Sequence, residues 1–127
     1  MVICRLKSDF AKMRERYSNK RHKGLSEFIK IIELAIHEGA DSVTIEYDDE
    51  GLEVCNWIGT LGIGEILVGR DAEHNLIEYI IDTANLENKT KGRIVIEIDE
   101  IEYTITVEEY FNFGESAFKL LIKKANK

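Results

Sequence analysis

A glycine-rich stretch and two cysteines are the residues of this sequence whose types could do chemistry. The stretch GTLGIGE at 59–65 has the glycines of a phosphate-binding loop but lacks the lysine, followed by serine or threonine, that contacts phosphate. The three histidines lie far apart, and none has a second histidine or cysteine at the spacing of metal ligands. Cys4 and Cys55 lack the flanking motif of a catalytic nucleophile. We therefore predict no catalytic residue, no cofactor and no metal, and expect a protein that is not an enzyme.

The composition predicts one soluble domain. The chain has 127 residues, 44% of them hydrophobic, which is enough for a core without disulfide or metal support. No apolar run approaches the roughly 20 residues that a membrane-spanning helix requires. Arg5, Lys7 and Asp9 interrupt any secretory signal at the N-terminus. We expect a cytoplasmic protein with reduced cysteines and no membrane span.

The charges are divided unevenly along the chain. Residues 1–23 carry eight basic and two acidic side chains, a net +6, whereas residues 24–127 carry nine basic and 22 acidic ones, a net −13. An acidic body repels nucleic acid, so no nucleic acid partner is expected and only the basic arm could bind one. Alternatively, the basic arm lies against the acidic body of its own chain or of a neighbouring subunit.

An amphipathic helix is predicted for the basic arm. Its apolar residues recur at steps of three and four, which places them on one stripe: Ile3, Leu6, Phe10, Met13 and Tyr17. The polar stretch at 18–24 is predicted to be a loop. We therefore divide the chain into an arm with its linker, residues 1–24, and an α+β domain, residues 25–127. Because the stripe needs a surface to bury against, Phe10, Met13 and Tyr17 are candidate protein-binding residues.

Two further helices are predicted inside the domain. The first has Ser26 as its N-terminal cap and Gly39 as its C-terminal stop. The second extends from about residue 71 to 85, with Asp71 as its cap.

Alternating apolar residues predict about five strands. Two form a hairpin from Val43 to Ile58, with Gly51 supplying the positive φ of the turn. The glycines at 59, 62 and 64 are expected to loosen the chain after this hairpin. Three more strands follow the last helix, and the stretch EEYFNFGES at 108–116 interrupts them. The predicted order is α-α-β-β-α-β-β-β, with helices on one face of an antiparallel sheet, which is the α+β class.

The other face of the predicted sheet carries a mixture of polar and apolar residues. Cys55, Trp57, Val95 and Leu121 share it with threonines and glutamates. This patch is a candidate protein-binding surface that receives either a partner or the basic helix. Trp57 is either its anchor or a residue covered by the protein's own first helix.

Three long stretches carry a resemblance to a known family. They are IIELAIHEGADSVTIEYDDEGLEVCNWIGTLGIGEIL, NLIEYIIDTANL and KGRIVIEIDEIEYTITVEEYFNFGESAFKLLIKK. In this order they resemble the domain that precedes the motor in type II secretion and type IV pilus assembly ATPases. The resemblance covers about residues 25 to 124.

The departures from the family pattern concern charged residues. Thr44 stands where the family motif GASDIHIEP has its histidine, and Cys55 and Trp57 stand where VRxRIDG has its arginines. The resemblance implies that those arginines help to sense nucleotide, which a thiol and an indole cannot do. With no motor domain in these residues, the resemblance implies a stand-alone relative without ATPase coupling.

Three functions remain open from the sequence. The first is a non-enzymatic adaptor or regulator that binds another protein, or a second copy of itself, through the face around Trp57. The second is a small acidic secretion-type chaperone that holds an extended client. The third is an enzyme that uses the glycine-rich stretch.

Overall fold

A computed structural model describes residues 15–125 of the chain, with side chains from residue 23 onward. The elements in this part of the chain are α1 (Glu15–His37), β1 (Ser42–Tyr47), β2 (Leu52–Ile58), β3 (Leu61–Leu67), α2 (Arg70–Thr83), β4 (Lys91–Ile98), β5 (Ile101–Asn112) and β6 (Glu115–Lys124). The strands form one antiparallel sheet in the order β3-β2-β1-β6-β5-β4. The predicted α+β class is therefore confirmed, but the described residues contain six strands rather than five.

The first described helix is longer than predicted. The stretch 18–24 is helical rather than a loop, and Ser26 lies inside α1 instead of capping it. At Gly24 the two helices approach each other closely, because a Cβ added there would lie 2.3 Å from the carbonyl oxygen of Asn75 in α2. A glycine that reads as a loop residue is thus a contact residue, and α1 crosses the predicted boundary between arm and domain. The predicted stripe from Ile3 to Met13 lies outside the described residues.

The C-terminal end of α1 is confirmed at Gly39. This residue has a φ of 77°, and its N–H donates to the carbonyl oxygen of Ile36 at 3.0 Å. The N–H of Ala40 donates to the carbonyl oxygen of Ala35 at 2.9 Å. These two bonds form a Schellman motif, which satisfies the last carbonyl groups of the helix and turns the chain into β1.

The predicted hairpin of β1 and β2 is also confirmed, but Gly51 does not supply a positive φ in its turn. Val43 lies opposite Asn56, and Tyr47 lies opposite Leu52. Gly51 is not among the glycines with a positive φ. A Cβ on Gly51 would lie 2.5 Å from the carbonyl oxygen of Leu67 in β3. The glycine is thus needed for close approach of the backbone rather than for left-handed geometry.

The glycine-rich stretch does not loosen the chain but forms β3. Gly59 has a φ of 62° in a two-residue turn that places Ile58 opposite Leu61, which fits the glycine position of a type II′ turn. The strand then pairs with β2 without a break as far as Leu67 opposite Leu52. Because glycine has a low strand propensity, the local sequence does not favour a strand here. Pairing with β2 stabilises the strand in spite of this.

Two other local predictions are wrong. The N-cap of α2 is Gly69, with no side-chain hydrogen bond, and Asp71 lies in the first turn instead of capping the helix. The stretch 108–116 does not interrupt the strands, because β5 and β6 continue to a tight turn at Phe113 and Gly114. Both turn residues have a positive φ, 54° and 83°, as a type I′ hairpin turn requires.

The hydrophobic core lies between the sheet and the two helices. The largest side chains that are fully buried in it are Phe28 and Ile32 of α1, Leu76 and Ile80 of α2, and Val43, Ile45, Leu52, Ile94, Ile96, Ile105, Phe118 and Leu120 of the sheet. The rings of Phe28 and Tyr79 join the two helices, with centroids 5.3 Å apart. Since side chains alternate along a strand, the residues between these core positions point to the opposite face, which we call the open face.

Candidate functional site on the open face of the sheet

The open face is not covered by either of the described helices. Strand pairing places the following side chains on it, strand by strand: Glu53, Cys55 and Trp57 of β2; Ser42, Thr44 and Glu46 of β1; Ala117, Lys119 and Leu121 of β6; Thr104, Thr106 and Tyr110 of β5; and Arg93, Val95 and Glu97 of β4. The sequence therefore assigned all four candidate residues of the patch to the correct face.

Trp57 is held in one orientation on this face. Its indole Nε1–H donates to the hydroxyl oxygen of Thr44 in β1 at 3.0 Å. The other end of the indole lies over β3, since a Cβ on Gly62 would lie 3.0 Å from the ring carbons Cζ3 and Cη2. The ring thus spans three strands, and Gly62 leaves the space for it. The alternative in which the first helix covers Trp57 does not apply to the described part of α1, which packs on the other face.

Cys55 lies beside Trp57 and is half-buried. Its Sγ is 2.9 Å from the position of a Cβ on Gly62, so the thiol and the indole cover the same glycine. Burial raises the pKa of the Cys55 thiol above its usual value, and the nearby carboxylates of Glu53 and Glu46 raise it further. A raised pKa lowers the fraction of thiolate, which is the reactive form. Cys55 therefore acts as a small apolar residue in this patch.

The structure brings Leu121 close to Trp57 but separates Val95 from both. Ser42 is the cross-strand partner of Trp57 on one side and of Leu121 on the other, so the three residues form one row. Leu121 is 39% exposed, whereas Val95 is only 7% exposed and lies on the edge strand opposite Thr104. Of the four candidates, Trp57, Cys55 and Leu121 thus form the accessible apolar patch, and Ile66 of β3, which pairs with Glu53, is a further exposed apolar residue on this face. Phe10, Met13 and the side chain of Tyr17 lie outside the described residues.

A tyrosine that sequence analysis did not single out joins distant strands across this face. The hydroxyl of Tyr110 in β5 donates to Oε2 of Glu46 in β1 at 2.5 Å. To reach it, the ring crosses β6 above Ala117, which pairs with Tyr110 and is fully buried. Burial raises the pKa of Tyr110, and the hydrogen bond to Glu46 raises it further. Alternation places Tyr110 on the open face, but only the strand order brings it to Glu46.

The turn between β5 and β6 exposes two more aromatic side chains that sequence analysis missed. Phe113 is 98% exposed and Phe111 is 72% exposed, which makes them the most exposed large hydrophobic residues in the described part of the chain. Phe113 also has a positive φ, which is unfavourable for a bulky residue. A possible signal was the presence of two phenylalanines around a turn sequence, where polar residues are the norm.

Neither the glycine-rich stretch nor the titratable side chains of the described residues have the geometry of a phosphate-binding loop or a metal site. In β3 the backbone is extended, so its N–H groups do not converge as in a phosphate-binding loop. Between residues 23 and 125, no three or more His, Cys, Asp or Glu side chains are grouped so that they could hold a metal ion. Neither described helix is long and apolar enough to cross a membrane.

Comparison with known proteins does not assign the chain to a family. It matches no protein-family model, and no curated protein matches it. The relation to the domain that precedes the motor of secretion ATPases stays a prediction.

Proposed function

We propose that this chain is a non-enzymatic protein-interaction module, an adaptor or regulator that acts in the cytoplasm. Its binding surface is the patch of Trp57, Cys55 and Leu121 on the open face. The observation that supports the proposal is the fixed indole of Trp57, with its N–H bonded to Thr44 and its ring over Gly62. A large side chain that is already held in one orientation loses little conformational entropy when a partner binds to it.

The chemistry of the patch favours a protein over a phosphate-bearing ligand. Neither a thiol nor an indole offers positive charge to an anion, and the raised pKa of the Cys55 thiol keeps it uncharged. Exposed aromatic and aliphatic side chains beside polar ones are typical of the centre of a protein interface. The exposed rings of Phe111 and Phe113 add a second apolar contact at the end of the β5–β6 hairpin.

The family resemblance is compatible with this function. A relative of the secretion ATPase domain that carries Cys55 and Trp57 in place of two arginines exchanges phosphate-binding side chains for apolar ones. We propose that the fold is kept while the contact surface is changed from nucleotide sensing to protein binding.

Site-specific photo-crosslinking in the native host tests the proposal. A photoreactive residue at Leu121 is compared with one at Leu34, because each leucine is 39% exposed but Leu34 lies on α1, on the helix side. We expect a discrete adduct of one mass from position 121 and not from position 34, and its loss when Trp57→Ala is added. Circular dichroism verifies that each variant is folded. The same adducts from both positions, or none from position 121, would contradict the proposal.

A further inference from the structure

An apolar groove lies on the helix side of the sheet, between α1 and β3. It has an open volume of about 210 Å³. Its walls are formed by Ile31 and Leu34 of α1 and by Val54, Ile63 and Leu67 of β2 and β3. The groove is distinct from the patch on the open face, because these strand residues point to the helix side.

The backbone of β3 presents hydrogen-bonding groups at the outer edge of the sheet, beside this groove. At the turn between β1 and β2, the N–H of Asp48 donates to the carbonyl oxygen of Gly51 at 2.7 Å, and the reverse bond is 3.3 Å long. Bonded and non-bonded pairs alternate along an antiparallel ladder, so the backbone of Cys55 bonds to β1 and its partner Gly64 does not bond to β2. The N–H and C=O groups of Gly64 therefore point away from the sheet. By the same alternation, those of Gly62 and Ile66 point outward as well.

The side chains of β3 leave this edge accessible. Gly62 and Gly64 have no side chain to shield the backbone, and Leu61 and Ile63 on the helix side are 61% and 41% exposed. Lysine, proline and bulges commonly protect an edge strand. β3 contains neither lysine nor proline, and it pairs with β2 without a bulge over all seven of its residues. Another strand can therefore add along the whole length of β3.

The groove and the edge of β3 have similar lengths. The wall of α1 extends from Glu27 to Glu38, which is about 17 Å along the helix. The seven residues of β3 span about 20 Å. An extended segment of about seven residues covers both. When its backbone bonds to Gly64, every second side chain points to the helix side and lies beside Ile63 at the groove.

The rim of the groove is acidic. Glu27, Glu38 and Glu65 outnumber Lys30, which gives a net charge of −2. The carboxylate of Glu38 is held in place, because its Oε1 accepts a hydrogen bond of 2.8 Å from Nδ2 of the buried Asn56. A positively charged side chain on the added segment would complement this rim.

We propose that the outer edge of β3 binds an extended segment of a partner protein as an additional strand. Main-chain hydrogen bonds to Gly62, Gly64 and Ile66 supply affinity, and the alternate side chains supply specificity. The segment has apolar side chains at alternate positions, which enter the groove, and at least one lysine or arginine, which meets Glu38 or Glu65. This edge is a second binding surface, additional to the patch that carries the proposed function.

Charge argues against β3 of a second copy as the added segment. β3 contains no lysine or arginine, and Glu65 is its one charged residue. In a two-fold pairing centred on Gly64, the Glu65 side chains of the two copies are diagonal neighbours on the same face, within reach of each other. Each chain also carries a net charge of −7, so two copies repel each other.

A peptide selection on the full-length chain tests the proposal. The probes are phage-displayed random peptides of about 12 residues, which exceed the length of β3. Gly64→Pro is the blocked variant, because it removes the outward N–H at an edge position where proline is compatible with the strand. Gly64→Ala keeps the N–H and is the matched control. Circular dichroism verifies that both variants are folded.

The selected peptides are expected to have the alternating apolar pattern with a basic residue. By fluorescence anisotropy, their affinity should be at least about tenfold lower for Gly64→Pro and within about twofold of the wild type for Gly64→Ala. Glu38→Gln combined with Glu65→Gln should weaken binding several-fold, whereas Glu87→Gln, an exposed carboxylate away from the groove, leaves it unchanged.

Hydrogen exchange of the wild type, followed by NMR, needs no substitution. The amide of Gly64 points away from β2, and the amide of Val95 on the other edge points away from β5, because Ile98 and Ile101 close a two-residue turn as a bonded pair. Saturation with a selected peptide should slow exchange at Gly64 at least about tenfold and leave Val95 unchanged. This measurement decides the question if Gly64→Pro does not fold.

Each other result would overturn the proposal. Equal affinity for Gly64→Pro and Gly64→Ala, or unchanged exchange at Gly64, would place the peptides elsewhere on the protein. A selection that enriches no peptide would mean that the edge does not accept a strand. Dimers of the wild type in light scattering that are lost in Gly64→Pro alone would identify a second copy as the occupant. Equal affinity in the glutamine variants of the rim and of Glu87 would contradict the role of charge.

Discussion

The two edge strands of the sheet, β4 and β3, differ in how far the helices cover them. Both strands have alternating apolar residues on the helix side, but Ile94 and Ile96 of β4 are fully buried while Leu61 and Ile63 of β3 are 61% and 41% exposed. The end of α2 lies directly on β4, where a Cβ on Gly92 would be 2.1 Å from the carbonyl oxygen of Ala84. The position of a helix, rather than the apolar content of the strand, decides which edge is buried.

The edges also differ in their protection against pairing with other strands. β4 carries Lys91, which forms an ion pair with Glu108 at 3.0 Å, and Arg93. β3 has Glu65 as its only charged residue and contains no lysine or proline. Since charged side chains discourage association of exposed edges, β3 is the edge that is open to another segment of polypeptide.

The largest expected effect comes from truncating the same residue type on both edges. Ile96→Ala removes a fully buried side chain and should lower the free energy of unfolding by about 2–5 kcal/mol. Ile63→Ala should lower it by about 1 kcal/mol or less, because that side chain lies at an open groove and has few contacts to lose. Urea denaturation of both variants measures the difference. Equal losses would mean that β3 is as well covered as β4.

A second pair of variants examines the close contact of α2 with β4. Gly92→Ala should lower the free energy of unfolding by about 1–3 kcal/mol, because its Cβ would collide with the backbone of Ala84. Gly64→Ala in β3 meets only the flexible carboxylate of Glu53 at 3.2 Å and should change it by no more than about 1 kcal/mol. A larger loss of unfolding free energy in Gly64→Ala than in Gly92→Ala would contradict this prediction.

A third prediction concerns the bond that joins the two halves of the sheet. Tyr110→Phe should lower the free energy of unfolding by about 1–2 kcal/mol at neutral pH, because it removes the hydrogen bond to Glu46. The folded pKa of Tyr110 is raised above its ordinary value of 10.0, so the folded state holds this proton more tightly than the unfolded state. The contribution is complete below pH 10.0 and is lost as the pH rises beyond it.

Denaturation at a series of pH values measures this third effect. The difference between the wild type and Tyr110→Phe should become smaller above the unfolded pKa, while Tyr47, whose pKa is also raised, contributes equally to both proteins. A difference that does not depend on pH would show that the phenol proton is not held by Glu46.

The smallest expected effect concerns the orientation of Trp57. Thr44→Val keeps the shape of the side chain but removes the acceptor of the indole N–H, which should lower the free energy of unfolding by about 1 kcal/mol. Thr44→Ser keeps a hydroxyl and is the control. Because Trp57 is the only tryptophan of the chain, its fluorescence anisotropy measures the mobility of the indole. Unchanged anisotropy in Thr44→Val would mean that packing against Gly62 alone orients the ring.

Periodicity and local stop signals were sufficient for a large part of the fold. Strict alternation predicted the hairpin of β1 and β2, and Gly39 with its positive φ ends α1 as expected. The predictions based on other glycines failed, because a glycine serves a turn and a close backbone contact equally well. Gly24 and Gly62 each make room for a side chain or carbonyl from another element, and nothing in the neighbouring sequence reveals that element.

The candidate site was predictable only in part for the same reason. Alternation assigned Trp57, Leu121 and Val95 to one face, since the direction of a side chain follows from its place in the strand. The order β3-β2-β1-β6-β5-β4 decided that Leu121 lies near Trp57, that Val95 lies far from both, and that Tyr110 reaches Glu46.

By itself, then, the amino-acid sequence determined which residues face the helices and which face away, because that depends on the local repeat of two or of about 3.6 residues. Only the tertiary structure decided the order of the strands that do not form a predicted hairpin, and how far the helices extend over the sheet. These features depend on contacts between different segments of the chain. Such contacts place the helices away from β3, whose side chains stay exposed, and bring the indole of Trp57 to the hydroxyl of Thr44.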